Sequence, residues 1–143
     1  MRNIVLCGSM TFIEKMKALS VTLSKMGFIP IIPEEDKWGE IKDEDINEYK
    51  RKVSRDHFNK IADKNTHAIF VVNESKNGKD NYIGANTFAE IALAFYFGKD
   101  IYILNDMYQP YKDELLAWGS QILNGNIESC RRLPLYLGGN PPA

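Results

Sequence analysis

The sequence predicts one α/β domain, a parallel sheet of four or five strands with helices on both faces. Three observations carry this. Short apolar runs rich in β-branched residues recur at Asn3–Cys7, Phe28–Ile32, His67–Asn73 and Asp100–Leu104, as strands buried on both faces do. The stretches between them place apolar residues at helical spacing. Glycine or proline closes most of these elements. Strand followed by helix, repeated four times, gives a parallel sheet with right-handed crossovers.

Taken in order, Asn3–Cys7 (NIVLC) stops at Gly8. From Thr11 to Lys25, residues Phe12, Met16, Leu19 and Leu23 step by four, three and four along one helical face. Gly27 follows as a C′ glycine. Phe28–Ile32 is closed by Pro33, and residues 34–48 then carry eight carboxylates against Lys37 and Lys42. This acidic stretch is expected to be a long surface loop, either plainly solvated or a lid over a ligand. A helix is expected from Ile46 to Asp63, with Tyr49, Val53, Phe58 and Ile61 as a rougher apolar stripe. His67–Asn73 (HAIFVVN) is the clearest strand, Glu74–Ile83 a loop, and Thr87–Phe97 a helix ended by Gly98. Asp100–Leu104 (DIYIL) is the next strand, and Pro110, well placed at N1, opens a last helix to Leu123. The domain is expected to span residues 1–136, with 137–143 a frayed tail. The expected strand order is 2-1-3-4(-5), a flavodoxin-like or Rossmann-like three-layer sandwich.

Composition narrows the function classes. The chain has 143 residues, 44% apolar and 26% charged, and 18 basic against 19 acidic residues leave a net charge of −1. That balance offers no general attraction to a nucleic acid polymer or an anionic membrane. Runs such as Ile69–Val72 fall far short of the ~20 residues that span a bilayer, and the N-terminus does not read as a secretory signal. Cys7 and Cys130 lie in no CxxC pattern, so neither a disulfide framework nor a zinc site is expected. Cys7 reads as a small core residue. His57 and His67 stand outside any HxH or HExxH context. A reduced, cytoplasmic protein with no cofactor and no metal is the expectation.

In a sheet of this order, ligands bind beyond the carboxyl ends of the strands where the order reverses, between the first and third strands. The segment after the first strand is Gly8-Ser9-Met10-Thr11. Glycine permits close backbone approach, and the next helix aims free N–H groups at the crevice. Ser9 or Thr11 either donates to a phosphate or sugar hydroxyl or simply caps the helix. Neither GxGxxG nor GxxxxGK[ST] occurs. After the third strand come Asn73 and then Asn81-Tyr82-Ile83-Gly84-Ala85-Asn86-Thr87-Phe88-Ala89-Glu90. Glu90 is expected in the first turn of its helix, where two readings stand. Thr87-x-x-Glu90 is a capping-box pattern. Alternatively, the helix dipole favours the anion there, which suits a nucleophile or a stabiliser of positive charge. Asp56 and Asp63 precede the third strand and are solvated charges by default.

At these residues the chain resembles the nucleoside 2-deoxyribosyltransferase family and the related nucleotide N-glycosidic hydrolases. The matching pieces are Leu6-Cys7-Gly8-Ser9-Met10, Ala68-Ile69-Phe70-Val71-Val72-Asn73, Tyr82 through Ala94, and Gly98-Lys99-Asp100-Ile101-Tyr102, in the family's order across about residues 3–104. The resemblance implies a small flavodoxin-like enzyme that cleaves the bond between nucleobase and sugar. It implies Glu90 as the nucleophile that forms a glycosyl-enzyme intermediate, resolved by another base or by water. Gly8, Ser9 and Met10 match the turn that holds the sugar or its 5′-phosphate, and Asn73, Tyr82, Gly84, Asn86 and Thr87 complete the implied substrate-binding set. Gly84 stands where many members carry Asp or Ser. A supporting aspartate of some relatives falls at Asn59, for which Asp56 or Asp63 substitutes, with Asp56 the expected catalytic partner of Glu90. A small-molecule nucleoside or nucleotide and a homo-oligomer are the implied partners. Two other readings stay open: a phosphoribohydrolase of the cytokinin-activating type, whose PGGxGTxxE stretch is only partly present, and a non-catalytic nucleotide-binding or sensing module.

Overall fold

The computed structural model describes residues 2–34 and 38–132. The expected tail at 137–143 and residues 35–37 of the acidic stretch lie outside the described residues. Five strands form one sheet: β1 (Arg2–Cys7), β2 (Phe28–Ile31), β3 (Thr66–Val71), β4 (Asp100–Ile103) and β5 (Gln121–Ile122). Their order is β2-β1-β3-β4-β5, every pair parallel. Four α-helices connect them: α1 (Ile13–Lys25), α2 (Ile46–Ala62), α3 (Ala85–Tyr96) and α4 (Lys112–Ala117). This is the three-layer fold expected from the alternation of strand and helix.

Side-chain alternation along the strands sorts the core into two faces. Ile4 and Leu6 of β1, Ala68 and Phe70 of β3, and Tyr102 of β4 point to the side covered by α1, where Met16, Leu19 and Leu23 pack on them. Val5, Cys7, Ile69, Val71, Ile101 and Ile103 point to the other side, against Ile61 of α2, Ile91 and Ala94 of α3 and Leu115 of α4. Nearly all of these are fully buried. Cys7 therefore faces α2 and α3, at the carboxyl end of a central strand.

Several expectations are corrected. The last helix does not run from Pro110 to Leu123. Residues Gln109–Tyr111 form a 3₁₀ turn, α4 ends at Ala117, and Gln121–Ile122 is the fifth strand. Gly119, at φ 75°, is the left-handed C′ residue that stops the helix, and Leu123 packs into the α1-side core instead of continuing a helical face. Helix α3 begins at Ala85, two residues earlier than expected, with Gly84 as N-cap and its carbonyl accepting from Phe88 N at 2.9 Å. The acidic stretch is not bare loop, since it holds 3₁₀ turns at Trp38–Glu40 and Asp43–Asp45. Among the described residues, no helix is long and apolar enough to cross a membrane.

The turn after β1 leaves no room for a side chain. A Cβ on Gly8 would stand 2.8 Å from the Val72 carbonyl oxygen and 2.9 Å from Met16 Cε. Val72 N donates to Cys7 O at 2.8 Å, so the residue whose carbonyl crowds Gly8, directly after β3, is itself clasped to the end of β1. The central strands can approach this closely at their carboxyl ends because residue 8 is glycine. Gly8→Ala is expected to destabilise the fold by about 1–3 kcal/mol, as overpacking against fixed backbone does. Urea denaturation checks this, and an unchanged midpoint would contradict it.

Candidate active site

A cleft of about 870 Å³ opens where the strand order reverses, within the size range of small-molecule sites. Gly8, Ser9 and Met10 line it from the turn after β1, and Tyr49, Val53 and His57 line it from α2. Lys76 and Tyr82 of the β3–α3 loop and Gly84, Asn86, Thr87 and Glu90 of the α3 start complete the lining. The rough apolar stripe of α2 now has a reason. Only Ile61 packs into the core, while Val53, 38% exposed, faces the open cleft. A smaller hollow of about 550 Å³, which shares Tyr49, Lys52 and Asp56 with the cleft, is lined mainly by exposed charges such as Asp45, Glu48 and Arg51.

Glu90 is 7% exposed. It is the sixth residue of α3, not part of the first turn, and no capping box forms with Thr87. On this helix Thr87, Glu90, Ile91 and Ala94 are the buried positions, a stripe at i, i+3, i+4 and i+7. The helix thus carries the carboxylate inward, where its Oε2 meets His57 Nδ1 in a very close contact. His57 lies midway between Val53 and Ile61 on the inward face of α2, four residues from each. Burial, with the Lys60 ammonium second, pushes its imidazole down to about 4 against a weaker opposing effect of the Leu6 backbone. The ring is therefore neutral near pH 7. His57 Nε2 is buried and makes no hydrogen bond among the described residues, so the single N–H belongs on Nδ1, donating to Glu90.

Cys7 completes the cluster from below. Its Sγ, a ring nitrogen of His57 and a carboxylate oxygen of Glu90 all lie within 4.8 Å of one another. Burial pushes the Cys7 thiol far above its ordinary range, so the sulfur is protonated in this state.

At the other end of the lining, Lys76 Nζ donates to Ser9 Oγ at 3.0 Å, and Ser9 Oγ lies 2.9 Å from Thr11 Oγ1. Ser9 also accepts from Thr11 N at 3.4 Å, so it caps the 3₁₀ turn and faces the cleft at once. Lys76 is held by a tight hairpin, with reciprocal backbone bonds to Lys79 across Asn77 (φ 51°) and Gly78 (φ 76°). Two consecutive left-handed residues are the I′ geometry that Asn-Gly favours. The Lys76 ammonium stands 5.5 Å from the centroid of the Tyr82 ring. A Cβ at Gly84 would meet the Tyr82 hydroxyl at 3.0 Å, so the tyrosine occupies space that a larger residue there would need.

Two expected site residues sit elsewhere or otherwise. Asn73 is fully buried and turns towards the end of β4. Its Nδ2 donates to Asp106 O at 2.8 Å and its Oδ1 accepts from Asn105 N at 2.9 Å. Its amide is spent tying the β3 and β4 ends together. Asp56 borders the cleft but is exposed, and the α2 side chain that reaches Glu90 is its neighbour His57. Asp63 serves the turn after α2, where its Oδ1 accepts from Asn65 N at 2.8 Å. Sequence reasoning missed His57 and Lys76 as site residues. A signal for His57 existed, since 49, 53, 57 and 61 form one unbroken i, i+4 series. Nothing in the sequence pointed to Lys76 beside Ser9, 67 positions away.

No protein-family model matches the chain, and no curated protein matches it either. Among solved structures, the chain is similar to a Clostridium botulinum CMP N-glycosidase, BcmB. The two share 19% sequence identity at a TM-score of 0.52, over 95% of this chain and 100% of the other. The likeness extends over the whole α/β fold described above.

Asn73→Ala is expected to destabilise the fold by about 2 kcal/mol or more, since it strands the Asn105 and Asp106 backbone groups. Thermal or urea denaturation checks this. A loss under about 0.5 kcal/mol, the range of neutral surface changes, would contradict the tie drawn between the two strand ends.

Proposed function

We propose that this protein is an N-glycosidase that releases the base from a nucleoside or nucleoside 5′-monophosphate, with Glu90 as the nucleophile. The observation that carries the reading is a carboxylate, almost wholly buried yet lining a cleft at the strand reversal, with a neutral histidine as its partner. It has no capping duty to explain it. The family resemblance of the Tyr82–Ala94 segment and the fold shared with a CMP N-glycosidase support the same chemistry.

In the proposed reaction a Glu90 oxygen attacks C1′ from the face opposite the base. The C1′–N bond breaks, its electron pair leaves with the base, and a glycosyl ester on Glu90 results, as in a retaining glycosidase. Water then cleaves the ester, its hydroxyl going to C1′ and its proton passing by way of solvent to the departed base, and the carboxylate is restored; a second free base in place of water gives transfer. His57 positions the carboxylate, since its Nδ1–H fixes one oxygen and leaves the other to attack. A neutral partner does this without neutralising the nucleophile as a cation would. Gly8, Ser9, Met10, Tyr82, Gly84, Asn86 and Thr87 are proposed to hold the substrate. Lys76 beside Ser9 makes that end cationic, which suits a 5′-phosphate. The implied homo-oligomer has a candidate contact face in Phe95, Tyr96, Phe97 and Leu116, which are 44%, 73%, 44% and 55% exposed.

The test is chromatographic detection of free base from nucleosides and their monophosphates. Glu90→Gln should lower base release by roughly three orders of magnitude or more, as loss of a nucleophile does. His57→Ala should lower kcat by about 10²-fold through misplacement of the carboxylate. Asp56→Asn should change the rate by less than about tenfold, since its group is solvated. Unchanged release by Glu90→Gln would overturn the mechanism. Ligand-induced thermal stabilisation without any turnover would make the protein a binding module.

A further inference from the structure

We propose that Cys7, His57 and Glu90 form a binding site for a thiophilic divalent cation, zinc in the first place, and that its occupancy silences the nucleophile. The binding site stands on geometry alone, whereas the silencing rests on the function proposed above. Three separate elements deliver the ligands: the end of β1, the middle of α2 and the second turn of α3. Cys7 is fully buried, Glu90 is 7% exposed and the His57 side chain is 11% exposed. Their sulfur, nitrogen and oxygen atoms lie within 4.8 Å of one another. Ligand atoms of a tetrahedral zinc site stand about 3.3–3.6 Å apart, given Zn–N and Zn–O near 2.0 Å and Zn–S near 2.3 Å. To admit the ion the close His57–Glu90 contact opens and the three ligand atoms settle at these separations.

Charge balance favours the ion. A thiolate and a carboxylate cancel the two charges of Zn²⁺, and the imidazole adds none, so the complex is neutral where burial penalises net charge. The metal-free cluster is poorly satisfied by comparison. Among the described residues the thiol has only a long contact to Val5 O at 3.8 Å. The sulfur ligand selects against Mg²⁺ and Ca²⁺, which prefer all-oxygen sites. Cys7, His57 and Glu90 make three protein ligands, and the adjoining cleft leaves the fourth position to water.

On binding, the Zn–S bond forms as the Cys7 thiol releases its proton to solvent. The ion enters between His57 Nδ1 and Glu90 Oε2. The ring stays neutral by moving its proton to Nε2. Coordination of Oε2 then draws charge out of the carboxylate and weakens the other oxygen as a nucleophile towards C1′. No oxidation or reduction is involved.

The test uses chelator-treated protein titrated with Zn²⁺ in a calorimeter and with Co²⁺ in a spectrophotometer. One ion per chain is expected, and Co²⁺ should give a thiolate-to-metal charge-transfer band. Cys7→Ser should abolish that band and weaken Zn²⁺ binding by at least about tenfold, while Cys130→Ser leaves both unchanged. Glu90→Gln, a second variant independent of the sulfur, should weaken binding as well. Base release by the wild type should fall as Zn²⁺ binds and return on chelation, and release by Cys7→Ser should resist the same Zn²⁺. Absence of stoichiometric binding, or a band that survives Cys7→Ser, would overturn the site. Full base release at saturating Zn²⁺ would overturn the silencing. If no substrate is cleaved at all, the function reading fails, and the Co²⁺ band still decides the site.

Discussion

The contact between Glu90 and His57 beneath the reversal of strand order is the constraint around which the rest of the molecule is arranged. A carboxylate that is 7% exposed needs a partner, because an unpaired buried charge costs several kcal/mol. Here the partner is an imidazole held neutral by burial, not an ammonium or guanidinium. Each side chain comes from a helix whose remaining inward positions are apolar or small: Val53 and Ile61 on α2, Ile91 and Ala94 on α3. Those helices pack against the Cys7 side of the sheet, and the glycine after Cys7 lets β1 and β3 close beneath them. The fold thus brings two polar groups to the edge of an apolar layer, where the cleft begins.

Much of this was legible in the sequence because its signals were local. Continuous apolar runs on β1, β3 and β4, helical spacing on α1 and the glycines after β1 and α3 each report on a few adjacent residues, and the sheet order followed from their succession. Glu90 was legible as a candidate, although for a partly mistaken reason. Thr87-x-x-Glu90 has the spacing of a capping box, yet Gly84 starts the helix earlier, so the carboxylate turns inward one turn later. The last helix was over-extended because apolar residues on both sides of Gly119 kept a helical rhythm. A glycine at φ 75° and a two-residue strand were too small a departure for periodicity to detect.

The remaining site residues were hidden because proximity in space is not spacing in sequence. His57 and Glu90 are 33 residues apart, and Cys7 lies farther still from both. No motif search for metal or catalytic pairs covers that arrangement. The α2 series at 49, 53, 57 and 61 placed a histidine on an inward face, but only the crossing of α2 and α3 over β1 says what it meets. Asn73 misled in the opposite sense. It directly follows a strand end at the correct crevice, yet its amide turns sideways to Asn105 and Asp106.

Covalent capture is the most direct measurement of whether Glu90 is the reacting atom's source. A 2′-deoxy-2′-fluoro-arabinosyl nucleoside or its 5′-monophosphate slows breakdown of a glycosyl ester more than its formation, because the fluorine destabilises the oxocarbenium-like transition state. Intact-mass spectrometry followed by peptide mapping should then find one glycosyl adduct per chain, on the peptide carrying Glu90. Base released from the analogue with the adduct on another residue, or with no adduct formed, would contradict the nucleophile assigned here.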